Sequence, residues 1–344
     1  MRIIALLAFL VPLLTFTQVK YSTESKKLYS KAIKEYKDGN SEEALNLFQE
    51  CVKLEPRYAE AYLNISYILY ADKEMEGALT NAQLAYHNNK LQSAIYDQLG
   101  KCYYKNEMYD SAAFFLKQGV DMGQSSEATF IFAGKSNYQI EEYESAIEFL
   151  NKALELNDKN PVTYNSRGKV YFRMAEYDQA ELDFKKALEI NPNSVGIYSN
   201  LANTLLDNGK TDEALEYINL GMDKAENEEK VQLLLLLGNY YHSAGDFEKA
   251  TETFDQAHEL DDSNAHILNN QAAVLLDQDK FEEAIAKLDA AIDLQPEMME
   301  AYFNRGIAYE MLRRVEEACS DWEEAFILGS EKAEEYLNSP TCNE

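Results

Sequence analysis

Residues 161–192 read PVTYNSRGKVYFRMAEYDQAELDFKKALEINP. Aromatic and small side chains recur in this stretch at helical spacings, which places them on two apolar stripes that face each other. The stretch therefore predicts a helix, a turn and a second helix, which Pro192 ends. Gly168 and Ala180 let the two backbones approach closely, and Ala187 leaves room for the next unit. The stripe residues are Tyr164, Gly168, Tyr171, Phe172, Tyr177, Ala180, Phe184 and Ala187.

The same order of residues returns with a period of 34 on both sides of this unit. Upstream, Gly134 and Ala146 precede Gly168 and Ala180 by one period, and downstream Gly238 and Ala250 recur after two extra residues. This unit closely resembles a tetratricopeptide repeat, a helix-turn-helix module of that length. The resemblance covers nine consecutive repeats: 25–58, 59–92, 93–126, 127–160, 161–194, 195–228, 231–264, 265–298 and 299–332.

The resemblance implies an all-α protein, a right-handed superhelical solenoid in which each repeat buries its core against its neighbours. The terminal repeats then need caps. Residues 18–24 form a lead-in, and residues 333–344 form a C-terminal cap and tail with a short helix around Ala333, Tyr336 and Leu337. The single solenoid replaces the two globular domains that a chain of 344 residues otherwise suggests.

The N-terminal segment predicts export. Arg2 precedes an apolar run, residues 3–14, which is too short to span a bilayer but suits the apolar part of a signal peptide. Thr15 and Thr17 are small enough for cleavage before Gln18, which makes residues 1–17 the signal peptide. The alternative is an uncleaved anchor. No later segment has the length and apolarity of a membrane span.

Composition and motifs argue against several functions. The formal net charge of -28 disfavours nucleic acid as a partner. The chain has no glycine-rich phosphate loop, Cys-x-x-Cys, His-Glu-x-x-His or Gly-x-Ser-x-Gly motif, so we expect no catalysis, cofactor or metal. His242 and His266 occupy neighbouring repeats, and a metal-binding or enzyme-regulatory subunit using them remains an alternative.

Export makes the four cysteines relevant. Cys51 and Cys102 occupy core positions and suit packed thiols. Cys319 and Cys342 form a disulfide if the tail folds back, or else are two free thiols. The stretch AYFNRGIAYEMLRRVEEACSDWEEAFILGSEKAEEYLNSPTC, residues 301–342, resembles the end of exported repeat proteins from Bacteroidetes-like bacteria, which implies a periplasmic or cell-envelope location.

In the tetratricopeptide family, positions 2, 5, 9, 12 and 13 of each repeat line a concave groove that binds peptides. We call the residues at these positions the first-helix face. Carried over by position, the family implies a basic and aromatic strip that attracts an acidic protein segment. Its candidate residues are Lys101, Tyr104, Lys105, Lys135, Tyr138, Asn165, Lys169, Phe172, Arg173, Asn203 and Asn239. Alternatively, the lysines only offset nearby carboxylates such as Asp97.

A second candidate surface is the apolar N-terminal end, around Tyr29, Tyr36, Tyr67 and Tyr70. It suits a partner's hydrophobic anchor or a second copy of the chain, or else residues 18–24 cover it. These features predict a non-catalytic scaffold or adaptor for protein partners in the cell envelope. The alternative from another class is a holdase-like assembly factor for many envelope clients. Some members of the family bind the C-terminal tails of chaperones through a lysine and an asparagine at set positions. In this sequence the order of these residues differs, so chaperone tails are not the expected ligand.

Overall fold

The computed structural model describes residues 21–343, and the predicted signal peptide lies outside this range. All regular secondary structure in this range is helical. Its helices are α1 Thr23–Lys37, α2 Ser41–Leu54, α3 Ala59–Ala71, α4 Met75–Asn88, α5 Ser93–Lys105, α6 Tyr109–Asp121, α7 Glu127–Gln139, α8 Tyr143–Leu156, α9 Pro161–Arg173, α10 Tyr177–Ile190, α11 Val195–Asp207, α12 Thr211–Met222, α13 Asn227–Ser243, α14 Phe247–Leu260, α15 Ala265–Asp277, α16 Phe281–Leu294, α17 Met299–Met311, α18 Val315–Ile327, α19 Glu331–Leu337 and α20 Pro340–Asn343.

The described helices fall into two compact units that divide between Phe149 and Leu150, within α8. In the first unit, α1 pairs with α2, α3 with α4 and α5 with α6, and each second helix also contacts the next first helix. In the second unit the same order runs from α9 to α18. Each helix therefore packs mainly on its sequence neighbours, as expected for stacked repeats. The predicted all-α class and helical-repeat architecture are confirmed.

Small residues allow the helix pairs to close. A Cβ atom added to Gly168 would lie 2.8 Å from Cε1 of Phe184, a side chain only 1% exposed. Ala180 and Ala187 are fully buried in the same core. The close approach predicted at Gly168 is therefore present, and the buried ring fills the space that the missing side chain leaves. The corresponding buried rings of other repeats are Phe48, Phe254 and Trp322.

The turn inside each repeat has one residue with left-handed backbone. Three of these turns use glycine, at Gly39, Gly209 and Gly245. The others place a residue with a side chain in this conformation, which costs about 1 kcal/mol for an L-residue other than glycine. The non-glycine residues are Lys73, Glu107, Glu141, Ala175, Asp279 and Arg313, with φ between 57° and 65°.

We expect Ala175→Gly to raise the free energy of unfolding by about 0.5 kcal/mol. Ala175 has a φ of 57°, and glycine removes the steric cost while adding some entropy to the unfolded chain. The reciprocal change, Gly209→Ala at φ 73°, should lower stability by about 1 kcal/mol. Urea unfolding followed by circular dichroism measures both. An Ala175→Gly variant less stable than the parent would contradict the prediction.

The C-terminal end is capped by α19 and α20. Tyr336 of α19 packs against Trp322 and Phe303, with ring centroids 4.7 Å and 5.2 Å apart. A disulfide joins Cys319 in α18 to Cys342 in α20, with Cα atoms 5.7 Å apart. The short helix predicted around Ala333 is α19, and it covers the last repeat as a cap does.

Candidate functional site

Lys101 is the first lysine of the predicted strip, and it is already paired. Its Nζ lies 2.7 Å from Oδ2 of Asp97, with both side chains largely buried. Thr129 donates a second hydrogen bond to Asp97, at 2.6 Å. The charge of Lys101 is therefore compensated inside the protein, so at this position the structure supports the alternative interpretation, in which lysine offsets a nearby carboxylate.

The neighbouring aromatic residues of the first unit pack against other rings. Tyr104 contacts Tyr109 and Phe132, with ring centroids 5.5 Å and 5.2 Å apart. Tyr138 contacts Tyr143 at 6.3 Å. These rings are half-buried, as is Lys135, whereas Lys105 is exposed. Much of the predicted strip in this unit is thus engaged in internal packing.

The apolar N-terminal end is partly covered from within the chain. Tyr21 stacks on Tyr58 with ring centroids 3.9 Å apart, and its hydroxyl donates to the carbonyl of Arg57. Tyr58 also stacks on Tyr29, at 4.9 Å. Tyr21 therefore acts as a local cap at this end, which supports the lead-in interpretation for the part that the structure describes.

We expect the first unit to lose stability as the pH rises from 10 towards 12. Burial raises the pKa of Tyr21, Tyr58, Tyr67 and Tyr70 from 10.0 to about 12. Above pH 10 these phenols ionise in the unfolded chain but stay neutral in the folded one, so the raised pKa values favour unfolding there. Tyrosine absorbance titrated in buffer and in denaturant measures this. Identical titration curves in the two solvents would contradict the prediction.

In the second unit, asparagines link the first helices of neighbouring repeats. The side-chain amide of Asn200 donates to Oδ1 of Asn165 at 2.9 Å. Further bonds run from Asn270 to Asn239 at 3.1 Å and from Asn304 to Asn269 at 2.9 Å. Asn165 and Asn239 were predicted as site residues from the sequence, but their hydrogen-bond partners were not. Asparagine at position 6 of four repeats, in Asn64, Asn200, Asn270 and Asn304, is the signal that would have found them.

The remaining predicted residues of this unit vary in exposure. Lys169 and Arg173 are exposed. Phe172 is half-buried and packs on Tyr177, with ring centroids 5.8 Å apart. Lys169 is therefore a cation that a partner can reach, whereas Phe172 also serves the repeat's own core.

A cavity of about 590 Å³ opens between α11 and α13. We call it the α11–α13 cavity. It brings together Asn203 and Asn239, two residues selected from the sequence, because repeats six and seven place their first helices side by side. Its lining combines amide, hydroxyl, carboxylate and apolar groups. The residues are Asn203, Leu206, Asp207, Thr211, Asp212, Leu236, Asn239, Tyr240, Ser243 and Ala244.

The two histidines of the alternative metal hypothesis have separate surroundings. Nε2 of His242 lies 2.7 Å from Oδ2 of Asp277, and the ring of His242 packs on Phe247. His266 is exposed at the start of α15. Across residues 21–343, no group of three or more His, Cys, Asp or Glu side chains is arranged to hold a metal ion.

An arginine clamp that was not predicted from the sequence stabilises repeat five. Nε and Nη2 of Arg167 each lie 2.7 Å from a carboxylate oxygen of Asp183, and Nη1 donates to Asn151. The guanidinium lies near the rings of Tyr164 and Tyr171. Burial alone would lower the pKa of Arg167, but the hydrogen bonds to Asp183 outweigh it and raise the pKa. The clamp therefore holds first and second helices together.

Together, the paired helices, the capped ends and the polar first-helix face define a helical-repeat protein of the kind that acts as an interaction scaffold. Tetratricopeptide repeat profiles match residues 29–91, 134–174, 161–194, 184–216, 231–264 and 269–333, which together exceed half of the chain. The chain belongs to the tetratricopeptide repeat family.

Known relatives and structures are similar over parts of the chain. The Protein STIP1 homolog of Dictyostelium discoideum is 38% identical over 94 residues, which are 27% of this chain and 17% of that protein. The Small glutamine-rich tetratricopeptide repeat-containing protein 2 of Saccharomyces cerevisiae is 26% identical over 139 residues, 40% of each chain. The chain thus spans less than half the length of these relatives.

Two solved structures share the fold. A tetratricopeptide repeat protein from Parabacteroides merdae is 17% identical, with a TM-score of 0.54 over 74% of this chain and 100% of that one. The C-terminal part of a repeat protein from Cytophaga hutchinsonii is 19% identical, with a TM-score of 0.54 over 70% and 98%. Among the described helices, none combines the length and apolarity needed to cross a membrane.

Proposed function

We propose that the chain is a non-catalytic scaffold that binds an extended segment of a partner protein along its first-helix face. The observation that carries this proposal is the α11–α13 cavity. It joins hydrogen-bonding side chains to apolar walls, the combination that orients a bound segment and buries its side chains. Asn239 is exposed, and within residues 21–343 its side chain is hydrogen-bonded only through Oδ1, which accepts from Asn270, so its amide nitrogen is available to a partner.

The asparagine bonds between repeats give this face a preformed geometry. Asn200, Asn270 and Asn304 each bridge to the preceding repeat. Preformed groups lower the ordering cost that binding an extended segment otherwise incurs. Two further candidate residues of the second unit, Lys169 and Arg173, are exposed and extend the proposed face beyond the cavity.

We also propose that the protein works in the cell envelope as an adaptor. The apolar run at residues 3–14 and the Cys319–Cys342 disulfide support export, because disulfides persist in oxidising compartments. N-terminal sequencing of the protein recovered from envelope fractions tests this. A chain that begins at residue 18 is the expected result, and an intact Met1 in the cytosolic fraction would refute it.

Panning a displayed dodecapeptide library against the purified chain tests the binding face. We expect peptides with a shared sequence pattern to bind the parent. They should bind an Asn203→Ala/Asn239→Ala variant about thirtyfold more weakly, since each of the two amides lost to a bound backbone costs about 1 kcal/mol. Isothermal titration calorimetry measures the affinities.

The matched control is Asn193→Ala/Asn219→Ala, which removes two exposed asparagines away from the cavity. This variant should bind as the parent does. Equal loss in both variants, or no peptide binding to the parent, would refute the proposed face. Selection of unrelated peptides without a shared pattern would favour the holdase alternative.

A further inference from the structure

The α11–α13 cavity is negatively charged, whereas the basic and aromatic strip carries positive charges. Its lining includes the carboxylates of Asp207 and Asp212 and contains no lysine or arginine. Within residues 21–343, neither carboxylate has an ion pair or a side-chain hydrogen bond. The nearby cation Lys210 instead lies 3.0 Å from Asp178 and 2.7 Å from Glu181. Within the described residues, the two carboxylates of the cavity therefore have no cation paired with them.

The walls of the cavity suit a long aliphatic side chain. Leu206, Leu236 and the ring of Tyr240 supply the apolar surface, and each is partly accessible. Lysine and arginine carry an aliphatic stem that packs on such surface while the charged head reaches a carboxylate. The hydroxyl of Tyr240 and the amide of Asn203 add acceptors for the remaining N–H groups of a guanidinium or ammonium.

We infer that the α11–α13 cavity accepts a lysine or arginine side chain of the bound partner segment, with its head group at Asp207 and Asp212. This inference rests on the proposed function, and it gives the partner a basic residue, whereas the basic and aromatic strip suggested an acidic partner segment. Asp207 is exposed, but desolvation at the cavity wall still raises the pKa of its carboxyl, the direction expected for a carboxylate without a cation beside it. A bound cation would relieve that cost.

The test uses peptides selected on the parent chain from the dodecapeptide library. We expect each strong binder to contain a lysine or arginine whose replacement by glutamine weakens binding to the parent about tenfold, as for a charge-assisted hydrogen bond. The same replacement should change binding to an Asp207→Asn/Asp212→Asn variant by less than about twofold. This pattern would show that the peptide cation and the two carboxylates act together.

The matched control is Asp223→Asn/Asp262→Asn, which removes the same charge from exposed positions outside the cavity. It should retain the full effect of the peptide cation. Equal losses in the two variants would mean a general response to the net charge of -28, and would overturn the inference. Peptides whose binding depends on Asn203 and Asn239 but not on a lysine or arginine would overturn the inference and still support the proposed binding face. Failure to select any peptide would overturn both.

Discussion

Gly168→Val should lower the free energy of unfolding by about 3 kcal/mol. The first added carbon would lie 2.8 Å from Cε1 and 3.0 Å from Cζ of Phe184, which is fully surrounded by core atoms. The two further methyl groups of valine restrict rotation about χ1, so the side chain cannot turn away from α10. Because interiors are close-packed, the ring and the helix pair α9 and α10 must separate to relieve the overlap.

The loss should be concentrated around repeat five, since each repeat contacts only its neighbours. Urea unfolding gives the free energy, and hydrogen exchange should show the earliest loss of protection in α9 and α10. Gly196→Val is the control, because Gly196 is an exposed helical glycine with no heavy atom within 4 Å of an added Cβ. A Gly168→Val variant as stable as the Gly196→Val variant would refute close packing at this position.

Asp183→Ala should cost roughly 3 kcal/mol, because it leaves the guanidinium of Arg167 without its carboxylate partner in a largely buried site. The two side chains are only 20% and 7% exposed. Asn151 can still accept one hydrogen bond from Arg167 but cannot neutralise the charge. A double-mutant cycle with Arg167→Leu, Asp183→Leu and the pair should reveal a coupling on the order of 2 kcal/mol.

The double variant should be more stable than Asp183→Leu alone, since it removes the unpaired charge. Repeat nine supplies a comparison within the same chain. There Arg305 contacts Asp321 in the same bidentate way but has a second carboxylate, Asp289, at 2.6 Å. Asp321→Ala should therefore cost less than Asp183→Ala. Additive effects within about 0.5 kcal/mol in the cycle would show that the clamp contributes no coupling.

Repeat periodicity made most of the fold predictable. The pattern of Gly168, Tyr177, Ala180 and Phe184 reports local helical contacts and contacts to the next repeat, both of which lie close in sequence. The positions of the helix pairs followed from it. The left-handed turn residues were less visible, because Ala175 and Arg313 do not signal a positive φ as glycine does.

The candidate site was only partly predictable. Asn165, Asn203 and Asn239 were found by position in the repeat, and the structure places all three on first helices of the second unit. Lys101 was selected for the basic and aromatic strip, with pairing to a nearby carboxylate such as Asp97 as the alternative, and the structure shows that pair. Asp207 and Tyr240 were missed, since a series taken at one position of each repeat does not show which side chains from two repeats share a cavity.

The sequence by itself determined the all-α class, the period of the repeat and the small residues that let each helix pair close, because these depend on contacts between near neighbours along the chain. Only the tertiary structure decided which charged side chains form ion pairs within the protein, as in the Lys101–Asp97 and Arg167–Asp183 pairs. It also decided which carboxylates line the α11–α13 cavity. The physical reason is that charge compensation depends on distance and burial in three dimensions, which a one-dimensional pattern does not contain.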